Sequence, residues 1–373
     1  MEQFIVAAAH GRPAEYLVDE CLAQLGHLPA EANLGFVYAT DELVEPFAGI
    51  LARLRESCPG IAWVGTIGMG LCTRDLELYD EAALVLMVGA FPPGSFHLLP
   101  TLKGDQLAID PGLASWWRAQ DFCFAVLHGD PTNPMTPAFL EQLAAMTPDI
   151  FINGGITSSK GQHYQVAGTL DEGGLSGVLF NSRVAVATDH TQGCSPIGPV
   201  HRLNQARQNV AISLDGRPAL EVMKEEIGEV LARDLTKIGG YIFAALPIPG
   251  SDTGDYLVRN LIGIDEKRGL VAIGDYLDGQ SQLMFCRRDG NTAQEDMKRM
   301  LERLRKRLGG QRPKGGLYIS CLGRGRYQFG EDSEELKLIS EGLGSFPLVG
   351  FFANGEIYNG RLYGYTGVLT LFL

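Results

Sequence analysis

The chain reads as an α/β protein of two related halves, each a mixed β-sheet flanked by helices, and three observations predict this. Short apolar strands alternate with amphipathic helical stretches. The resulting strand–helix–strand unit recurs at least three times, first from Leu34 to Val88, then from Phe122 to Phe180, and again from Leu317 to Phe372. In each copy a glycine-rich turn follows an apolar strand: Gly65 to Gly70, Gly154-Gly155, and Asn354-Gly355. A helix between two apolar strands is the crossover that makes them parallel. Open sheets of this kind bind small molecules at their strand ends.

The elements follow in order. Met1 to His10 reads as a first strand, because it lacks the basic start and the length of a signal peptide. Pro13 opens a helix whose stripe is Tyr16, Leu17, Cys21, Leu22 and Leu25. Leu43, Phe47, Ile50, Leu51 and Leu54 mark the helix of copy one. Thr136-Pro137 supplies a cap and first-turn proline for copy two, with Phe139, Leu140 and Leu143 inward. Ser333 is the expected cap of copy three, where Leu336, Ile339 and Leu343 form the stripe. Pro59, Pro148 and Pro347 stand where those helices give way to strands.

Between copies two and three the pattern turns to antiparallel strands: 174–179, 183–188 and 209–214. Asn181-Ser182 has the length of a two-residue hairpin turn. Arg217-Pro218 starts a helix after Asp215-Gly216, and a boundary there divides the chain into residues 1–215 and 216–373. Further strands are expected at 241–246, 256–264, 269–273 and 282–286. A long helix then carries Met297, Met300, Leu301, Leu304 and Leu308, with Arg305, Lys306 and Arg307 at its end to suit the macrodipole.

Bulk composition narrows the function. With 373 residues, 45% hydrophobic and 20% charged, the chain is ordinary globular protein with room for two cores. A formal charge of −13 disfavours nucleic acid and anionic membrane surfaces. No apolar run approaches the roughly 18 residues that span a bilayer. Seven cysteines without a close pair fit reduced thiols in a cytoplasm and give no CxxC zinc spacing. The seven histidines form no HxH, HxxxH or HExxH pattern, and no GxSxG occurs.

Several segments carry a functional reading beside a plainer one. Gln192-Gly193-Cys194-Ser195-Pro196-Ile197-Gly198 sets polar groups beside a rigid corner, and reads equally as a binding loop or a tight turn. In Cys321-Leu322-Gly323-Arg324-Gly325, two glycines would let the Arg324 guanidinium receive a carboxylate or phosphate; the alternative is a solvated arginine on a flexible turn. Glu356 and Asn354 end the next strand of that copy, and opposite charges at one rim suit a zwitterion. Asn153 and Ser158 flank the equivalent turn of copy two, where backbone amides can form an anion nest. His128-Gly129-Asp130 and Asp189-His190 resemble base–orienter pairs, yet sequence neighbours seldom face each other.

These residues together resemble a known family. The 192–198 loop, Leu214-Asp215-Gly216-Arg217-Pro218, Tyr256-Leu257-Val258-Arg259, Ile262-Gly263-Ile264-Asp265, Gly323-Arg324-Gly325 and Val349 to Ile357 look like FIST-domain proteins, an N-terminal FIST part followed by a C-terminal one. Many members carry an aromatic after the Gln-Gly pair, where this chain has Cys194. The resemblance implies a sensory small-ligand-binding module acting through a partner such as a histidine kinase or a cyclic-dinucleotide enzyme. It also implies two alternatives: a haem protein responding to nitric oxide, and a scaffold that recruits proteins.

The expectation is a cytoplasmic sensor of an amino acid or small carboxylate, more plausible than an enzyme. The turns 153–159, 190–198, 321–326 and 353–357 are expected to converge on a pocket between the halves. Its shell would be Asn153, Ser158, Gln192, Gly193, Cys194, Cys321, Gly323, Arg324, Asn354 and Glu356. If haem is bound, His190 or a cysteine is the expected axial ligand. An enzyme reading would need Cys321 or Cys194 as nucleophile, with a base the residues do not identify.

Overall fold

A computed structural model describes residues 4–105, 107–120, 122–146, 149–248, 255–277 and 279–373. Residues 1–3 of the expected first strand, and Pro148, lie outside these. The repeat is longer than the strand–helix–strand core. Copy one is β1 (Ile5–His10), α1 (Ala14–Leu25), β2 (Leu34–Thr40), α2 (Phe47–Ser57), β3 (Ala62–Gly68), β4 (Gly70–Thr73), β5 (Leu76–Tyr79) and β6 (Ala83–Gly89). Copy two repeats that order as β7 (Phe96–Leu102), α3 (Pro111–Arg118), β8 (Cys123–Gly129), α4 (Thr136–Met146), β9 (Ile150–Ile156), β10 (Gln165–Ala167), β11 (Thr169–Asp171) and β12 (Leu175–Asn181).

Copy three begins with β13 (Val186–Gln192) and is then interrupted. The inserted stretch holds β14 (Cys194–Pro196), β15 (His201–Arg207), β16 (Val210–Leu214), β17 (Arg217–Pro218), α5 (Ala219–Ala232), β18 (Ile242–Pro247), β19 (Tyr256–Asp265), β20 (Leu270–Ile273) and β21 (Gln282–Arg288). The copy resumes with α6 (Gly290–Leu308), β22 (Gly315–Cys321), α7 (Glu334–Leu343), β23 (Leu348–Ala353), β24 (Glu356–Tyr358), β25 (Arg361–Tyr363) and β26 (Thr366–Phe372). Two compact units result. One joins the chain up to Thr191 with Gln294–Leu373, and the other is Gln192–Ala293.

In the first unit each copy builds one six-stranded sheet and completes another. The orders are β1-β6-β2-β3-β10-β11, β7-β12-β8-β9-β24-β25 and β13-β26-β22-β23-β4-β5. The core pairs β2–β3, β8–β9 and β22–β23 are parallel, and the last strand of each copy runs antiparallel beside the first strand of that pair. The hairpins are exchanged cyclically. That of copy one joins the sheet of copy three, that of copy two joins copy one, and that of copy three joins copy two. Asn181-Ser182 is accordingly no hairpin turn, because β12 stays with β8 and β7 while β13 pairs with β26.

A glycine repeats at the same register in the three second strands. A Cβ on Gly65, Gly154 or Gly350 would lie 1.7, 1.8 or 1.7 Å from the carbonyl oxygen of Val37, Leu127 or Tyr318. Only glycine permits that approach of neighbouring backbones. The inner faces of the three sheets share one core, with Phe36, Val64 and Met87 from the first, Phe124, Val126 and Phe180 from the second, and Leu317, Ile319 and Phe351 from the third. Each such side chain contributes about 1.5–3 kcal/mol through burial. The outer faces take the helices: α1 and α2 through Leu17, Cys21, Phe47 and Leu51, and α3 and α4 through Trp117, Phe139 and Leu143.

Two expected caps do not act as such. The Ser333 hydroxyl accepts the Glu77 amide at 3.0 Å instead of an amide of α7, and Ser333 itself has φ 59°. The Thr136 hydroxyl makes no hydrogen bond among the described residues, while Asn133 accepts the Met135 amide at 2.8 Å. The second unit is an antiparallel sheet in the order β14-β21-β15-β16-β20-β19-β18, with β17 on β16 and α5 packed through Leu220 and Met223.

Candidate functional site

The hairpin exchange brings three of the singled-out turns together in the first unit. β24 pairs with β9, setting Glu356 opposite Gly155. The Asn354 amide donates to Ile156 O at 2.9 Å, and the Leu322 amide to Ala353 O at 2.9 Å. Ser158 Oγ donates to Phe352 O and accepts the Met69 amide at 2.9 Å. The 153–159, 321–326 and 353–357 segments thus adjoin at the carboxyl ends of parallel strands, where open α/β sheets place ligands. Asn153 turns elsewhere and donates to the hydroxyls of Thr188 and Thr370 at 2.6 and 3.0 Å.

Arg324 is no solvated arginine. It is 0% exposed and its partner is Glu335, also 0% exposed. Arg324 Nε and Nη2 lie 2.8 and 2.7 Å from Glu335 Oε1. The same carboxylate accepts from Tyr318 Oη at 2.6 Å, Ser320 Oγ at 3.1 Å and the Gly325 amide at 2.7 Å. Phe329 lies 4.9 Å below the guanidinium. Burial, the largest single influence, pulls the Arg324 pKa down, but the charges and hydrogen bonds of Glu335 and Tyr318 together outweigh it and the net direction is upward. Gly325 is required here: its φ is 52° and a Cβ would stand 2.0 Å from the Tyr79 hydroxyl.

Glu356 presents a different environment. Oε2 accepts the Thr366 amide at 3.0 Å and its hydroxyl at 2.8 Å. Oε1 is buried and accepts no hydrogen bond among the described residues, and neither does Arg324 Nη1 donate one. Burial pushes the Glu356 pKa up to about 8; Thr366 and Arg324 oppose it. The Cys321 thiol lies against this carboxyl, and burial together with the Glu356 charge pushes its pKa upward. Cys321 is half-buried while the other six cysteines are buried. Tyr365, beside Gly323, has φ 62°, a conformation that costs a bulky residue about 1–3 kcal/mol.

Three residues of the expected shell belong to the second unit. Gln192 Nε2 donates to Tyr256 O at 3.1 Å, and Tyr256 Oη donates to Cys194 O at 2.7 Å, next to Gly193. The Cys194 thiol is hydrogen-bonded with that of Cys286 on the neighbouring strand. His190, in the first unit, packs on Tyr358 and Tyr363 with ring centroids 4.2 and 5.2 Å away. Asp189 accepts the His190 amide and pairs with Arg303 at 2.8 Å, so it does not orient the imidazole ring.

Sequence reasoning missed Glu335, Glu77 and Thr366, and set His128 aside as an ordinary loop histidine. Glu77 is 8% exposed, and burial plus the Glu335 charge raise its pKa to about 8. His128 is a fully buried strand residue 3.2 Å from Tyr38 Oη, and burial lowers its pKa to about 3. The one usable signal was Glu335, in the first turn of a helix that follows an arginine flanked by glycines. Among the described residues, no group of three metal-ligating side chains occurs and no helix is long and apolar enough to cross a membrane.

Residues 33–217 match the FIST N domain and residues 219–359 the FIST C domain. The uncharacterized protein Rv0628c of Mycobacterium tuberculosis is 31% identical over 382 aligned positions, covering 98% of this chain and 95% of the relative. The uncharacterized protein Mb0898c of Mycobacterium bovis is 29% identical over 341 positions, covering 87% and 86%. FIST domains are associated with sensory small-ligand binding in signalling proteins. The chain belongs to the FIST family, carrying the N and C domains in tandem.

Proposed function

We propose that the protein is a sensor of a small molecule, an amino acid or small carboxylate, whose occupied state is read by a separate signalling protein such as a histidine kinase or a cyclic-dinucleotide enzyme. One observation carries the reading. Two fully buried ionisable side chains from one repeat, Arg324 and Glu356, each keep a polar atom without a hydrogen bond among the described residues. A buried polar group left unmade costs about 1–3 kcal/mol, and more when charged, so a ligand that completes both is favoured. Ser158, Asn354, Gly323 and Cys321 border the same strand ends, and the Tyr365 backbone stores strain beside them. Gln192, Gly193 and Cys194 stay proposed contacts of the second unit.

A cysteine-dependent enzyme has less support, because burial keeps Cys321 as the thiol and the nucleophile is the thiolate. The haem reading is also weaker: His190 is 8% exposed between two tyrosine rings, and Cys194 is 2% exposed. The protein-recruiting scaffold has no specific feature in its favour. Native mass spectrometry of the gently purified chain tests the proposal. A stoichiometric adduct below about 300 Da, lost in Glu356→Gln, is the expected result. A haem adduct with a Soret band, or no adduct and no stabilisation by any amino acid or carboxylate, would overturn it.

A further inference from the structure

We infer that the Glu356 site recognises a primary ammonium group, and that the carboxylate of any ligand is dispensable. This deepens the small-ligand reading and rests on it. The argument is one of charge. Arg324 already faces the Glu335 carboxylate through two nitrogens, and Tyr318, Ser320 and Gly325 complete that carboxylate. An incoming carboxylate would find a cation whose charge Glu335 already neutralises. Glu356 has no cation of its own. Its hydrogen bonds come from Thr366, the Cys321 thiol lies against it, and its buried second oxygen accepts no hydrogen bond among the described residues.

The internal repeat serves as a control. Glu356 stands opposite Gly155 across the exchanged hairpin. By the same register, Gln165 stands opposite Thr66 and Leu71 opposite Phe351. The fold therefore accepts an amide or a leucine at this position, and nothing in the architecture demands a buried acid. The Gln165 amide nitrogen donates to Thr157 Oγ1 at 3.1 Å and His163 O at 2.6 Å, while its oxygen, like Glu356 Oε1, accepts no hydrogen bond among the described residues. Only the third copy places an ionisable carboxyl there. Its titratable and charged neighbours are Cys321 and Arg324, with Tyr363 across the β24–β25 pair.

Without ligand the carboxyl holds its proton through neutral pH, as its value of about 8 states. An ammonium binds the ionised form, so the proton leaves to solvent as the cation arrives. Affinity then rises with pH up to about 8 and levels off, a gain of about fifty-fold from pH 6 to pH 8.

The test is calorimetric titration of the whole chain with primary amines from methylamine to butylamine, with amino acids, and with acetate and butyrate. Runs at pH 6, 7 and 8 in two buffers of different ionisation heat count protons. Expected are binding by amines and amino acids, near-silence from the carboxylates, release of close to one proton per ligand at pH 6, and loss of both signals in Glu356→Gln. Gln165 at the matching register indicates that this variant folds, and its circular dichroism verifies that. Carboxylates binding while amines are silent would overturn the inference and leave the sensor reading standing. Amine binding that is unchanged in Glu356→Gln would also overturn it. Silence from every compound would remove both.

Discussion

Arg324→Met is the most exposing perturbation of the first unit. Arg324 and Glu335 are both 0% exposed and 2.7 Å apart. Removing one partner of a buried pair costs about 3–5 kcal/mol, because the other charge is left uncompensated. Here Tyr318, Ser320 and the Gly325 amide still serve Glu335, which argues for the lower end. Replacing both as Arg324→Met with Glu335→Leu removes the charge with its partner and returns most of the loss, for a coupling of about 2 kcal/mol or more. The assay is urea denaturation followed by tryptophan fluorescence. Trp63, Trp116 and Trp117 all belong to the unit that holds the pair, so the signal reports on the right body. A loss under about 1 kcal/mol for Arg324→Met, or single losses that simply add in the double variant, would refute the reasoning.

Other outcomes follow from the same geometry. Glu356 binds its proton more tightly folded than unfolded, so it lowers stability progressively from its ordinary value near 4.5 up to about 8 and by a constant amount above; Glu356→Gln should flatten that decline in urea midpoints between pH 5 and pH 8. His201 in the second unit holds Asp215 at 2.7 Å and Glu226 at 2.6 Å; burial opposes its charge, yet the two carboxylates win and raise its pKa. Its contribution is full below the ordinary value of 6.5 and vanishes as pH rises through the folded value, so amide exchange in α5 should quicken with that rise beyond its intrinsic pH dependence, and Glu226→Gln should abolish the extra step. Gly350→Ala forces a methyl into the Tyr318 carbonyl and should cost roughly 2 kcal/mol or more, whereas Gly49→Ala, with open space in α2, should stabilise by about 0.5–1 kcal/mol in the same melts.

Much of the fold was legible because it is local. The helix stripes at Leu17-Cys21 and Leu336-Ile339 depend on neighbours one turn away, and the repeated glycines follow from a contact that each copy makes within itself. The exchange of hairpins was not legible. β4, β10 and β24 are three or four residues long, and a strand that short pairs with whichever edge lies nearest in space. Glu356 likewise gave no local sign of burial, since a lone glutamate after Asn-Gly reads as solvated.

What residue order alone determined is the threefold β–α–β theme, the absence of familiar hydrolase and metal motifs, and the membership in the FIST family. What only the tertiary structure decided is how the charges are matched. Arg324 meets a glutamate eleven positions away on a helix, while Glu356, from a hairpin lent to another copy's sheet, meets none. Charge partners in an interior are selected by desolvation and distance in three dimensions, and neither is written in the spacing of residues along a chain.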